Sequence, residues 1–366
     1  MTTERTICAP AGRGYRSAAA LALVALAQAG CEGISIGLPF DDAEPRAVEQ
    51  AYELRYRRTV GEALRYQATY GIRYRAEPSR AAAAAPAGTG MEVDEDITAD
   101  LLVYTTGKTE GAQSFDRVVL RRHELKRSML EVAPNGKVTN REDVRDMQPT
   151  VTPNTEYEPA LKGTGMRYIP MDELGCIARR KETPYHYAAY DSLCYVFPVF
   201  PRQAVRVGDT WRHSFPVIVG WEYTKNEFVL HSQFTLEDVR RLKAPAGGEG
   251  ALCAVVRYKY YGLLDTAHAE DADKMPEGVT GLLWRRDVVE GEGLAYFDIK
   301  EGRVAWRREK YTVSVEREFE RPRRSDEKAR KETGPVRETF RSRNTVEFTC
   351  RLLGPGERAS ERPARM

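Results

Sequence analysis

The sequence lacks the short patterns that carry most metal, nucleotide and redox chemistry. It contains five His residues, and no two of them stand three or four positions apart, so it has no helical pair of metal ligands. It also has no Cys-x-x-Cys pair, no phosphate-binding P-loop and no complete glycine fingerprint for a dinucleotide. We therefore predict no catalytic residue, no metal ligand and no cofactor.

An enzyme site can still be assembled from residues that are far apart in the chain. Glycosidase carboxylates, for example, come from distant segments and leave no local pattern. The Gly-x-Ser-x-Gly match at 33–37 lacks the strand and helix that lift a hydrolase serine onto a sharp turn, and we reject it as a nucleophile. An envelope hydrolase with dispersed carboxylates or His is therefore kept as an alternative function.

An excess of one charge is missing as well. Lys and Arg number 56 and Asp and Glu number 54, and residues 1–30 hold three Arg but a single acid, so the rest of the chain is neutral. A neutral chain argues against a general polyanion binder. Residues 320–343 are dense in charge of both signs, which predicts a solvated loop or arm rather than a nucleic-acid tail. We predict no nucleic-acid partner.

The N-terminus carries a short apolar run. Arg5, Arg13 and Arg16 precede ten apolar residues at 18–27. Ten residues of helix span about 15 Å, roughly half a bilayer core, so the run is too short for a permanent membrane span. A positive leader with a short apolar core predicts an export signal over residues 1–30.

The sequence Ala-Gly-Cys at 29–31 resembles the lipobox of bacterial lipoproteins. The resemblance implies cleavage before Cys31 and acylation of its thiol. The membrane partner would then be reached through this lipid, on the periplasmic side or at the outer membrane. Plain secretion without a lipid is the alternative, and residues 31–51 are predicted to form a tether.

Four further cysteines remain after the signal and the lipid site. They are Cys176, Cys194, Cys253 and Cys350. An even number in an oxidising compartment makes all four candidates for disulfides, with three pairings open. Strand cysteines also serve as small buried hydrophobes.

Period-two alternation of apolar and polar residues dominates the remainder of the chain. At 294–319, Ala295, Phe297 and Ile299 alternate with polar residues, and a turn at Gly302 precedes a second alternating run. This pattern is typical of an antiparallel hairpin. Similar runs occur near 64–74, 97–106, 114–131, 137–144, 213–219, 226–240, 251–264 and 346–352. We predict a mainly β protein of curved antiparallel sheets, open or half-barrel, with few helices outside the signal peptide.

Two motifs recur in the same order, which predicts an internal duplication. TVGEALR at 59–65 is similar to RVGDTWR at 206–212, and GCIARRKE at 175–182 is similar to GRVAWRRE at 302–309. The predicted halves are 52–182 and 200–320, with a connector at 183–199, a charged arm at 321–343, a closing strand at 344–353 and a disordered tail at 354–366. The predicted structural anchors are Gly61, Gly175, Gly208, Asp209, Trp211 and Gly302.

One longer pattern resembles a known family. FPVFPRQAVRVGDTW at 197–211, followed by GLAYFDIKEGRV at 293–304, is similar to an uncharacterised family of exported bacterial β-proteins with a Val-Gly-Asp-x-Trp motif and a Tyr-Phe-Asp…Gly hairpin. The resemblance implies an envelope location and an open, strongly curved antiparallel sheet. It brings no catalytic residues, and the stretches at 80–90 and 320–343 depart from the family pattern.

Together these features predict a lipid-anchored envelope protein that acts as a binding or scaffolding module. A curved sheet offers a concave face for an apolar ligand or for a segment of an envelope protein. An all-apolar concave face would favour binding, whereas several convergent polar groups would favour catalysis. A plain secreted structural protein is a further alternative.

The lipid site gives a direct prediction. Cells that express the protein and are grown with a fatty-acid probe should label the wild type and should not label Cys31→Ser, because the variant has no thiol to acylate. A Cys8→Ser variant serves as the control and should label fully, since Cys8 lies within the signal. Equal labelling of wild type and Cys31→Ser would contradict the lipid anchor.

Overall fold

A computed structural model of the chain describes residues 50–77, 80–81, 90–108, 114–133, 135–147, 150–152, 169–176, 198–218, 227–242, 250–266, 281–321 and 336–354. The predicted export signal, Cys31, most of the tether, Cys194 and the tail beyond Gly354 lie outside these ranges. So does the second half of the hairpin that was predicted at 168–182. No helix long and apolar enough to cross a membrane occurs in the ranges described.

These residues form β-strands and no helix. The strands are β1 Ala63–Ala76, β2 Arg80–Ala81, β3 Gly90–Lys108, β4 Ser114–Val132, β5 Val138–Asp146, β6 Thr150–Thr152, β7 Ile169–Met171, β8 Thr210–Ile218, β9 Glu227–Arg241, β10 Leu252–Thr266, β11 Gly281–Asp298, β12 Arg303–Arg321 and β13 Val336–Leu352. The predicted fold class, mainly β with antiparallel pairing, is confirmed.

All the described strands belong to one open antiparallel sheet. Ten of them follow the order β5-β4-β3-β1-β13-β12-β11-β10-β9-β8, while β2 pairs with β13, and β6 and β7 pair with β4. Strand β13 lies in the middle, between β1 and β12, and not at an edge where a closing strand was expected. The last strand of the chain therefore joins the strands of the two predicted halves.

Strand β13 also takes in part of the predicted charged arm. It begins at Val336, so residues 336–343 are strand, and β12 continues to Arg321. The charges fit because they pair across strands. Arg341 Nε donates to Glu316 Oε1 at 2.7 Å, and Arg337 Nε donates to Glu320 Oε1 at 3.3 Å. Opposite charges on facing strands stabilise a sheet, so mixed charge here marks strand pairing.

One surface of the sheet, the core face, carries the main hydrophobic core. Its buried side chains include Tyr66, Ala68, Tyr70, Ile97, Phe234, Val256, Tyr258, Phe297, Tyr311 and Phe348. Two extended segments, 52–58 and 199–205, cover one end of this face and are called the plug. They pair through Tyr52 and Val205, whose backbone N–H groups and carbonyls bond at 2.7 and 2.9 Å. Phe200 of the plug packs on Phe297 with ring centroids 4.5 Å apart.

The anchors Gly61 and Gly208 lie in turns of the same design. Their φ angles are 85° and 92°, a left-handed conformation that suits glycine. The N–H of Gly61 donates to the carbonyl of Thr105 at 2.8 Å, and the N–H of Gly208 donates to the carbonyl of Leu236 at 2.7 Å. In both turns the same strand residue donates its own N–H to the carbonyl of the residue that follows the glycine. These matching hydrogen bonds support the duplication, which stays a prediction.

Asp209 and Trp211 follow the second of these turns. Asp209 Oδ2 accepts the N–H of Arg206 at 2.8 Å, which holds the turn closed. Trp211 stacks on Phe234 with ring centroids 5.8 Å apart, and its indole N–H donates to the carbonyl of Val199 in the plug. Trp211 therefore packs against the core from the edge strand β8.

The anchors Gly175 and Gly302 lie in turns that press against the plug. Their φ angles are 85° and 63°. A Cβ atom would stand 2.7 Å from the carbonyl oxygen of Pro198 at Gly175, and 2.6 Å from that of Arg55 at Gly302. Both positions thus need glycine for its backbone conformation and for the close approach of another backbone.

The structure rules out one of the possible disulfide pairings, that of Cys253 with Cys350. Both of these residues carry free thiols. Cys253 lies on β10 and Cys350 on β13, with two strands between them. Three interstrand spacings amount to about 14 Å, whereas a disulfide needs Cα atoms within about 7 Å. Both side chains are buried, as small strand hydrophobes are.

The glycine turns yield a stability prediction. Gly61→Ala should cost about 1–2 kcal/mol for the left-handed backbone alone, since nothing lies within 4 Å of a Cβ there. Gly302→Ala should cost about 1–3 kcal/mol more, because its Cβ would also meet the plug backbone. Urea denaturation of both variants measures the difference. Equal losses would contradict the close packing of the Gly302 turn on the plug.

Candidate functional site

The core face is not the wholly apolar concave surface that was expected. Beneath the plug, Arg307 and Glu309 are only 1% and 2% exposed and form an ion pair. Tyr258 donates its hydroxyl to Glu309 Oε2 at 3.3 Å, and Tyr260 donates to Glu309 Oε1. Arg307 Nε in turn donates to the hydroxyl oxygen of Tyr258 at 2.8 Å. We call these four residues the buried polar cluster.

Small side chains make room for Arg307. It stands opposite Ala295 on β11 and Cys350 on β13. Beyond Cys350, the same row continues through Ala68 on β1 and Ala99 on β3. A long side chain fits a packed interior when the neighbouring positions are small, so this row creates the space for the guanidinium.

Two glycines admit the tyrosines of the buried polar cluster. Tyr258 stands opposite Gly293, and Tyr260 stands opposite Gly291. A Cβ atom at Gly293 or Gly291 would lie 2.2 or 2.4 Å from the facing tyrosine ring. Each ring therefore occupies the space above a glycine of β11, and its hydroxyl reaches Glu309 on β12.

The pKa shifts of Tyr258 in this cluster and of the neighbouring Cys350 fit a structural role. Burial raises the pKa of Tyr258, although the nearby Arg307 opposes the shift. Burial also raises the pKa of Cys350 to about 12. The hydroxyl and the thiol are thus protonated at neutral pH, and neither is poised as a base or a nucleophile.

A second buried pair lies farther along the core face. Arg285 Nε donates to Asp287 Oδ2 at 2.8 Å, and each side chain is 1% exposed. Arg317 stands opposite Arg285, and burial, followed by the charge of Arg285, lowers its pKa. Several charged side chains on the core face are therefore paired with side chains of opposite charge from the same sheet.

One pair resembles the nucleophile and base of a hydrolase. On the outer face, opposite to the core face, Ser214 Oγ lies 2.9 Å from His231 Nδ1, and both residues are exposed. In the described part of the chain no carboxylate hydrogen-bonds to His231. The same residues contain no group of three or more His, Cys, Asp or Glu placed to hold a metal ion. The hydrolase alternative thus gains no assembled site from the geometry described.

The outer face carries a cavity of about 580 Å³, which we call the arginine cleft. Six neighbouring strands, from β4 to β11, contribute to it. Its lining consists of Arg75, Ala76, Glu77, Gly90, Glu92, Val132, Arg286, Val288, Ser314, Val315, Glu316, Arg341, Ser342 and Arg343. Apolar and charged side chains are therefore combined in one hollow.

Strand alternation places the cleft on the outer face. Arg286 is exposed between the buried Arg285 and Asp287, and successive side chains of a strand point to opposite faces.

The cleft brings arginines together. Arg75 of β1 stands directly opposite Arg343 of β13. Arg75 approaches Glu92 at 3.8 Å, and Arg341 binds Glu316 at 2.6 Å. Arg343 makes no ion pair with any residue that the structure describes.

None of the residues singled out from the sequence lines the cleft. The six anchors lie in turns or beside the plug, and the three described cysteines lie in or against the core. Sequence reasoning missed Arg75 and Arg343. The available signal was an Arg-x-Arg spacing at 73–75 and 341–343 on the polar phase of two strands. Only the pairing of β1 with β13 places the two arginines side by side.

Comparisons with known proteins show no family. No protein-family profile matches the chain, and the search of curated proteins found no significant match. The crystal structure of Pseudomonas aeruginosa OccK7 (OpdD) is similar at 11% identity and a TM-score of 0.21, over 80% of this chain and 99% of that chain. The crystal structure of Pseudomonas aeruginosa OccK5 (OpdH) is similar at 9% identity and a TM-score of 0.18, over the same shares. Likenesses with TM-scores this low carry no argument about function.

The buried polar cluster gives a stability prediction. Arg307→Met should cost about 3–5 kcal/mol, because it leaves Glu309 buried without its cation. The double variant Arg307→Met with Glu309→Leu should recover much of that loss, since both charges are then removed. Chemical denaturation measures each change.

The matched control is an exposed pair formed by Lys310, on the same strand as Arg307, and Glu347 of β13, joined at 2.8 Å. Lys310→Met should change stability by no more than about 1 kcal/mol. A double variant that is no more stable than Arg307→Met alone would contradict the mutual compensation of the buried charges.

Proposed function

We propose that the protein is a lipid-anchored envelope module that binds a small molecule in the arginine cleft. The observation that carries this proposal is the cleft itself. Its volume of about 580 Å³ lies within the range of about 300–1,000 Å³ that is usual for small-molecule sites. Its lining also combines apolar side chains, which can bury a ligand, with charged side chains, which can orient it.

The core face offers less room at the plugged end. The plug covers it, and Arg307, Glu309 and the two tyrosines fill the space beneath. This packing is the reason why the proposal puts the ligand on the outer face of the sheet and not on the concave core face, where it was expected. The anchoring part of the proposal comes from the sequence, through the positive leader and Ala-Gly-Cys at 29–31.

A neutral apolar fluorophore tests whether the cleft binds ligands. N-phenyl-1-naphthylamine, titrated into the purified protein as the cell produces it, should show saturable fluorescence enhancement. Ser314→Trp should abolish this signal, because an indole on the cleft wall fills the hollow. The matched control is Ser214→Trp, an equal substitution at an exposed position of β8 outside the cleft, and it should bind as the wild type does.

Circular dichroism and thermal melting establish that both variants are folded. Absence of saturable binding to the wild type would overturn the proposal. Equal loss in the two variants would overturn it too, since the fluorophore would then report on the sheet surface in general.

A further inference from the structure

We propose that the arginine cleft recognises a phosphate monoester with a small apolar substituent, and that Arg75 and Arg343 grip the phosphate. This inference rests on the proposed function and deepens it by naming the chemical class of the ligand. It follows from three features of the cleft: the register of the arginines, the placement of the carboxylates and the position of the apolar side chains.

The register places two like charges face to face. Arg75 and Arg343 are direct partners in the pairing of β1 with β13. Directly opposite residues have Cβ atoms about 4.5–5.5 Å apart, and like charges at such a pair destabilise a sheet. A dianion between them turns this repulsion into attraction. Guanidinium groups match the oxygens of a phosphate in bidentate geometry, so arginine suits this task better than lysine.

The carboxylates of the cleft leave this pair only partly neutralised. Glu92 reaches Arg75 at 3.8 Å, a long separation for an ion pair. Glu316 is held by Arg341 at 2.6 Å, and that contact raises the pKa of Arg341 further. Glu77, the third carboxylate of the lining, acts on the same Arg341. Neither Arg343 nor Arg286 forms an ion pair with a residue in the ranges described. The positive charge available to a ligand is therefore concentrated at Arg343 and Arg286.

The apolar part of the lining defines the rest of the ligand. Val132 and Val288 belong to the outer face and reach the cleft from opposite sides of the arginine pair, on β4 and β11. A bare phosphate would leave this apolar surface in contact with water and would fill only a small part of the cavity. An ester with a short hydrocarbon group would cover it, and burial of each CH₂ contributes about 0.8 kcal/mol.

The test compares three probes by isothermal titration calorimetry on the purified protein as the cell produces it. Hexyl phosphate should bind, inorganic phosphate should bind more weakly, and hexyltrimethylammonium should not bind. Arg343→Gln and Arg75→Gln should each weaken hexyl phosphate binding about 10- to 100-fold, as loss of a charge-assisted hydrogen-bonding partner does. The control is Arg212→Gln, at an exposed arginine on the outer face of β8 that does not line the cleft, and it should bind as the wild type does.

Two further measurements distinguish a folding defect in the variant from a true loss of phosphate binding, and a failed phosphate inference from a failed proposed function. Arg343→Gln should melt at or above the wild-type temperature without ligand, because it removes a like-charge contact, so lost binding is not a folding defect. It should also keep N-phenyl-1-naphthylamine binding. If the wild type binds the neutral fluorophore but not hexyl phosphate, the phosphate inference is overturned while the proposed function stands. Equal loss in Arg343→Gln and Arg212→Gln would overturn it as well.

A vesicle assay distinguishes a soluble ester from a lipid headgroup. The Cys31→Ser variant, which lacks an acylated thiol, is sedimented with phosphatidylcholine vesicles that contain phosphatidic acid. Cosedimentation that requires Arg343 identifies a lipid phosphate as the ligand, and binding of hexyl phosphate without cosedimentation identifies a soluble ester. If Arg343→Gln leaves both readouts unchanged, the phosphate inference fails.

Discussion

The buried pair of Arg307 and Glu309 is the interaction on which the packing of the core face depends. Burying two charges costs several kcal/mol for each ion, and this cost is met only when the geometry is good and the remaining hydrogen-bonding groups are satisfied. The neighbouring strands are built to that requirement. Strand β11 supplies glycines so that two tyrosines reach Glu309, and β11 and β13 supply the small residues Ala295 and Cys350 beside Arg307. The plug then seals the cluster from water.

This arrangement decides where a ligand finds room. A curved sheet usually offers its concave face, but here that face holds its own charged cluster and is covered by segments of the same chain. A second hollow lies on the outer face, across six strands. The proposed function therefore follows from two properties of one sheet, namely a filled core face at one end and a hollow on the outer face.

Strand β13 explains how two runs of strands make a single sheet. The strands β1, β3, β4 and β5 follow one another outward on one side, and β12 back to β8 do so on the other. Strand β13 lies between β1 and β12 and bonds to both. Strand β13, which was expected at an edge, therefore joins the two runs of strands. The pairing of β13 with β1 also brings Arg343 opposite Arg75, so the arginine cleft forms only when β13 has joined the sheet.

The strands and the glycine turns could be predicted from the amino-acid sequence, because these features depend on local physics. Alternation reports which residues of a strand share a face, and Gly61, Gly208 and Gly302 mark turns that need a left-handed backbone. Those features predicted the fold class and most strand positions. They did not predict that Arg307 is buried while Arg308 beside it is not, since two adjacent arginines look alike until the face of the sheet is known.

The pairing of the strands and their register could not be predicted in the same way, because they depend on contacts between distant parts of the chain. Arg75 and Arg343 are far apart in the chain, and their contact depends on the insertion of β13 and on a register that no local pattern encodes. For the same reason the mixed charges at 336–343 looked like a solvated arm, although they form cross-strand pairs. Period-two alternation specifies the face of each residue, whereas its neighbours across the sheet are specified by packing of the whole chain.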